Sequence, residues 1–270
     1  MTVTLENNKL RVVFSEHGAE MVSLYGKEKQ FEYLWQADPQ YWGGRHAPVL
    51  FPIVGRLQAD HYRFAGQSYE MHQHGFARDQ DFTVVKQTKT AVVFELKASN
   101  STKEKYPFAF VLKLSYTLHA ESVAVTYTVE NPANQKSYFS IGGGHPAFNL
   151  PMGDPQLDFA DYHVELTPHK ERQQISLVGN YTDVAHAVKT TTNDIALSHK
   201  LFAHDALIFN LQAEPTTLTL TDAAAHTGVT LRLENAEYCG IWSPYPAQAP
   251  LCVLSLGGGG WPMMSLQRVN

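Results

Sequence analysis

Phe110-Val-Leu-Lys-Leu-Ser-Tyr-Thr-Leu118, followed by Ser122-Val-Ala-Val-Thr-Tyr-Thr-Val-Glu130, decides the fold class. In the first run Phe110, Leu112, Leu114, Tyr116 and Leu118 take every second position; in the second, Val123, Val125, Tyr127 and Val129 do. Successive side chains of a strand point to opposite faces, so each set lines one face. Only His119-Ala120-Glu121 connects the runs, and the pair predicts a hairpin of two long strands. Asn131-Pro132 ends the second, because proline has no N–H to give to a ladder.

The same grammar recurs outward from this hairpin. Thr2–Leu5 and Leu10–Phe14 flank the turn signal Glu6-Asn-Asn-Lys9. Asp81–Lys86 with Ala91–Lys97, and Thr216–Thr221 with Gly228–Leu233, predict two more hairpins. Helical periodicity is confined to short turns near Asp38–Trp42 and Asp194–Ser198. Many short, evenly spaced strands imply an all-β antiparallel sandwich or barrel. With no Pro/Ser-rich linker, repeat or charge block, residues 1–270 read as a single domain.

Composition narrows the class. The 270 residues are 44% hydrophobic and 17% charged, a folding composition. A net charge of −5 offers no basic face, which argues against nucleic acid or an anionic membrane as partner. No stretch approaches the length of an apolar membrane span, and the N-terminus lacks the basic and apolar regions of a signal peptide. A cytoplasmic location follows. Cys239 and Cys252 read as two buried thiols or a single bridge, and without Cys-x-x-Cys a thiolate zinc site is not indicated.

Four segments break the strand grammar and concentrate chemistry. Trp42–Leu57 is an apolar, Pro- and Gly-punctuated crossing with Arg56 near its end, either a solvated terminus or a fork held to donate paired hydrogen bonds. Met71-His-Gln-His-Gly-Phe-Ala-Arg-Asp79 alternates His72 and His74 on one strand face, as surface imidazoles or half of a metal pair, with no third ligand evident. Ile141-Gly-Gly-Gly-His-Pro-Ala-Phe-Asn149 pins His145 between glycines and Pro146, without the continuation of a phosphate loop. His204-Asp-Ala-Leu-Ile-Phe-Asn210 opens a strand with Asp205, a cap for the preceding turn or a carboxylate for hydroxyls. Imidazoles, an Arg, a carboxylate and many aromatics together suit a carbohydrate.

Ala47-Pro-Val-Leu-Phe-Pro-Ile-Val-Gly-Arg56, His74-Gly-Phe-Ala-Arg78, Gly144-His-Pro-Ala-Phe-Asn149 and Asp205-Ala-Leu-Ile-Phe209 resemble the aldose 1-epimerase (galactose mutarotase) family, in its LacX-like bacterial branch. The order and spacing of these blocks cover roughly residues 1 to 253. The resemblance implies an antiparallel β-supersandwich and interconversion of the α and β anomers of a hexose, with no metal or organic cofactor. It matches His145 to the general acid for the ring oxygen and His74 to the second active-site histidine. Arg56 and Asp205 match substrate-binding residues. A sugar or sugar phosphate is the implied partner, and Arg45 and Arg78 are the cations available to a phosphate. A non-catalytic carbohydrate-binding protein is the alternative.

One feature of the family is missing. Its base is a Glu on a strand near the C-terminus, but Ala249–Gly260 contains none, and no acidic residue follows Glu237. Codons TTG-AGC-CTT-GGT-GGG-G would encode Leu254–Gly259 and, read from the third base, Glu-Pro-Trp-Trp-Gly. Together with termination at Asn270, this makes the tail from about Leu254 a frameshift expectation, with impaired activity as its consequence.

Overall fold

The computed structural model describes residues 1–133, 143–224 and 227–257. Ile141 and Gly142 of the glycine run, and the expected frameshift tail beyond Gly257, lie outside them.

Strands β1 (Thr2–Glu6), β2 (Leu10–Ser15), β3 (Met21–Gly26) and β4 (Phe31–Glu32) form one sheet in sequential order. β5 (His61–Phe64) and β6 (Gln67–Glu70) are a separate hairpin. β7 (Thr83–Gln87), β8 (Ala91–Lys97), β9 (Val111–His119) and β10 (Ser122–Glu130) form a meander. The remaining strands are β11 (Ala147–Asn149), β12 (Tyr162–Thr167), β13 (Arg172–Val178), β14 (Tyr181–Thr190), β15 (Asp194–Ala196), β16 (Leu207–Asn210), β17 (Thr216–Asp222), β18 (Gly228–Leu233), β19 (Tyr238–Trp242) and β20 (Leu251–Gly257). They divide into a six-stranded sheet, β11-β20-β19-β16-β13-β14, and a four-stranded one, β15-β12-β17-β18. Every pairing between these described strands is antiparallel. Packed antiparallel sheets of this extent make a β-supersandwich.

The decisive hairpin forms as its alternation requires. Ser122 pairs with His119 and Glu130 with Val111, and Ala120 turns the chain with φ +46°. Phe110, Leu112, Leu114, Tyr116 and Leu118 are all buried, in one core with Val3, Leu5, Val12 and Phe14 of the first sheet. A second core lies between the six-stranded and four-stranded sheets, around Tyr162, Val164, Phe209, Leu218 and Ile241. Cys239 and Cys252 are free, buried thiols within it. No described helix is long and apolar enough to cross a membrane.

Three local expectations change. Asp194–Ser198 is not helical: β15 occupies its first residues, paired to β12, and a 3₁₀ turn follows at His199–Phe202. Asp38–Trp42 makes turns closed by Tyr41 N–H to the Asp38 carbonyl, without a helix. The one described α-helix, α1 (Asn100–Lys105), has no apolar periodicity; a capping box between Ser99 and Thr102 starts it.

Leu254–Gly257, the first residues of the expected frameshift tail, complete β20 in register with β19, with Leu254 and Leu256 buried.

Candidate functional site

The apolar crossing places the first imidazole. Val49, Leu50 and Phe51 are buried, and the Phe51 carbonyl accepts from Phe76 N–H (2.9 Å) and Ala77 N–H (3.2 Å). This close approach needs Gly75, whose φ is +72° and whose Cβ, if present, would lie 2.1 Å from the Phe51 oxygen. His74 precedes it at φ +68°, a left-handed conformation that costs a β-carbon-bearing residue on the order of 1 kcal/mol or more. Two bonds to Gly55 hold it there: His74 N–H donates to the Gly55 carbonyl (2.9 Å), and Gly55 N–H donates to His74 Nδ1 (3.1 Å). His72 points away, 61% exposed beside Asp60 and Glu70. The expected pairing of His72 and His74 on one strand face therefore fails, because the chain turns between them. Among the described residues no three His, Cys, Asp or Glu side chains are grouped to hold a metal ion.

The second imidazole sits on a segment clamped from both sides. His145 N–H donates to the Pro48 carbonyl (3.2 Å) and Ala147 N–H to His46 (3.0 Å), while Leu254 and Leu256 N–H donate to Pro146 (3.1 Å) and Gly144 (2.9 Å). The glycine run makes the second clamp possible, since a Cβ at Gly143 would meet the Leu256 oxygen at 1.6 Å. β11 pairs Ala147 with Val253. Continuing that register sets His145 opposite Ser255, whose Oγ lies 2.9 Å from His145 Nδ1. Gly240 pairs with Ser255 on the other side and leaves that neighbouring position bare.

The two imidazoles come together, with ring centroids 5.5 Å apart. Trp42 (5.8 Å) and Trp242 (6.3 Å) flank His145 and pack edge-to-face on each other at 5.8 Å. Trp35 supports this wall by donating its indole N–H to the Trp42 carbonyl at 2.8 Å. Burial pushes His74 down to about 3, helped by His145 and the Arg78 guanidinium. Burial and Arg78 push His145 down to about 4. Both rings are neutral at pH 7. Arg78 donates to the Gln73 carbonyl (2.8 Å), but its buried Nε, 3.9 Å from the Asp79 carboxylate, has no hydrogen-bond acceptor among the described residues.

Among the described residues, neither expected substrate-binding residue hydrogen-bonds to an imidazole of this cluster. Arg56 follows Gly55, yet its fork is spent on Asp60 through two 2.8 Å bonds. Asp205 lies at φ +72°, and its N–H closes the 3₁₀ turn on the Phe202 carbonyl (3.0 Å). Its carboxylate makes no hydrogen bond or ion pair among the described residues. It precedes β16, where Leu207 pairs with Ile241 beside Trp242, so Asp205 is at the same end of the sheet as the tryptophan wall. Ser255 was not singled out by sequence reasoning. Its signal was available: it is the one hydroxyl in the apolar run Leu251–Leu256.

The arrangement offers two neutral imidazoles, an under-used guanidinium and aromatic faces converging on one place. Comparison with known proteins gives it a family. The family model for aldose 1-epimerase matches residues 1–258. Protein LacX of Lactococcus lactis subsp. lactis is 29% identical over 272 residues, covering 94% of this chain and 89% of that protein. A galactose mutarotase related enzyme from Lactobacillus acidophilus has a solved structure with TM-score 0.89 and 36% identity, covering 100% of this chain and 88% of that one. A galactose mutarotase-like protein from Lactobacillus casei gives 0.84 and 32%, covering 100% and 90%. The chain belongs to the aldose 1-epimerase family.

Proposed function

We propose that this member of the aldose 1-epimerase family binds a hexose against the Trp42–Trp242 wall and interconverts its anomers through the His74–His145 pair. The observation that carries this reading is the imidazole pair itself, two rings 5.5 Å apart held by backbone clamps. Ring opening moves a proton off the anomeric hydroxyl and another onto the ring oxygen, so donors and acceptors must sit within hydrogen-bond reach of both. His145 protonates the ring oxygen, His74 donates beside it, the proton of the anomeric hydroxyl leaves to solvent water in the absence of the Glu base, and Arg56 and Asp205 hold hydroxyls at the rim. A guanidinium and a carboxylate are the groups that match a polyol's acceptors and donors.

The acid step defines a pH dependence. With His145 at about 4, about one ring in a thousand carries the extra proton at pH 7. The fraction rises about tenfold per pH unit as pH falls toward 4. The stretch expected to carry a Glu presents Ser255 to His145 instead, and a missing general base costs about 10²–10⁴-fold. This same observation favours the second reading, a protein that binds sugar without accelerating its mutarotation.

Polarimetry on freshly dissolved α-glucose and α-galactose, with sugar titration by calorimetry, separates the readings. Acceleration above buffer, steeper at pH 5 than at pH 7, supports the enzyme. Saturable binding without acceleration supports the binding protein. Neither binding nor acceleration removes both.

A further inference from the structure

The two imidazoles are anchored by partners of different kinds, and the difference fixes where their protons sit. His74 Nδ1 receives a hydrogen from a backbone amide, Gly55 N–H at 3.1 Å. An amide can only donate, so Nδ1 of His74 carries a lone pair and the neutral ring holds its proton on Nε2. His145 Nδ1 faces the Ser255 hydroxyl at 2.9 Å, which can donate or accept.

The surroundings select between those options. The polar groups near the His145 ring include the His74 ring, whose hydrogen is on Nε2, and the Arg78 guanidinium, which carries donors only. The positive Arg78 guanidinium next to a neutral imidazole favours a lone pair, rather than another N–H, on its open nitrogen. Ser255 Oγ makes no other hydrogen bond among the described residues and has lone pairs available for the Nδ1 hydrogen. Trp42 and Trp242 cover the ring without supplying an acceptor to it.

We infer that Ser255 is a positioning residue that accepts the Nδ1–H of His145, so that the two active-site histidines rest in opposite tautomers and Nε2 of His145 is the nitrogen that exchanges protons. The same Nδ1–H bond persists when Nε2 gains a proton. One ring nitrogen therefore takes up and releases the proton while the other keeps the ring oriented. A hydroxyl in this role does for the imidazole what an orienting carboxylate does elsewhere, with a weaker pull on the proton. The inference rests on the proposed sugar site only for its kinetic consequence; the tautomers themselves are independent of substrate.

The test is long-range ¹H–¹⁵N correlation NMR on the full chain at pH 7, with His74→Gln and His145→Gln spectra for assignment. The expected result is Nε2–H for His74 and Nδ1–H for His145. In Ser255→Ala, His145 should shift toward Nε2–H while His74 stays unchanged; Ser255→Thr should restore the wild-type pattern. In mutarotation, Ser255→Ala should lose roughly 10- to 100-fold in kcat at unchanged KM. A wild-type His145 in the Nε2–H form, or an Nδ1–H form that survives in Ser255→Ala, overturns the inference. Correct tautomers in a protein that neither binds nor turns over sugar would leave it standing and remove the functional reading instead.

Discussion

The two halves of the candidate site are built on different principles. At the imidazole half, each ring sits in a segment whose backbone is bonded on both sides, and glycines at 75 and 143 allow carbonyl approaches that no side chain would permit. At the rim half, Arg56 and Asp205 hang on turns; one is 35% exposed and neutralised by its own neighbour Asp60, and the other has no side-chain partner among the described residues. Rigid placement suits proton transfer, where reach is measured in tenths of an ångström. Hydroxyl binding tolerates looser groups that reorganise when substrate arrives. The imidazole half should therefore govern rate, and the rim half affinity.

The largest effect should come from His145. His145→Asn should lower any mutarotation rate by about 10²–10⁴-fold while sugar titration still shows binding. A comparable loss of binding would break the division of labour. Ser255→Glu should act in the opposite direction, raising kcat by on the order of 10-fold, because a carboxylate at the His145 Nδ1–H favours the protonated form of the ring that donates to the sugar. An unchanged rate would show that something other than the absent carboxylate limits this chain.

A third prediction concerns stability. Both imidazoles have folded-state values depressed below the ordinary 6.5, so the unfolded chain binds more protons than the folded one below that value. Their destabilising effect is absent above pH about 6.5 and grows as pH falls toward 4, by at most about 1.4 kcal/mol per pH unit for each ring. Urea midpoints at pH 7 and pH 5 measure it, and in His74→Gln the slope should be shallower. The smallest effect belongs to the rim. Arg56→Ala should weaken sugar binding by roughly tenfold with kcat nearly unchanged, since one charged hydrogen-bonding group is worth about 1–2 kcal/mol. A fall in kcat larger than the loss of affinity would place Arg56 in the proton-transfer machinery.

How much of this was legible in the sequence follows from the range of the forces involved. Strand hairpins declare themselves locally, through alternation such as Phe110 to Leu118, and the fold class was readable from them. The rigid backbone around His145, though not its role, was readable from the glycines and Pro146 that flank it. His72 and His74 were misread as sharing a face, because alternation assumes an extended chain; the left-handed turn at His74 and Gly75 is held by contacts with Gly55 and Phe51, about twenty residues away in sequence. Ser255 could not be assigned to His145 without the pairing of β11 with β20, a register set by tertiary structure. Of the two readings left open for Arg56, both hold in part: it is solvated, and its fork is engaged, but by Asp60, four residues on.

Exchange NMR between the α and β anomeric signals of glucose and galactose, with wild type and His145→Asn side by side, addresses the central assignment. Anomeric exchange faster than in buffer with the wild type, returning to the buffer rate with His145→Asn, is the predicted result. Exchange equally fast in both proteins would contradict it, because the proton would then be moving through groups other than the paired imidazoles.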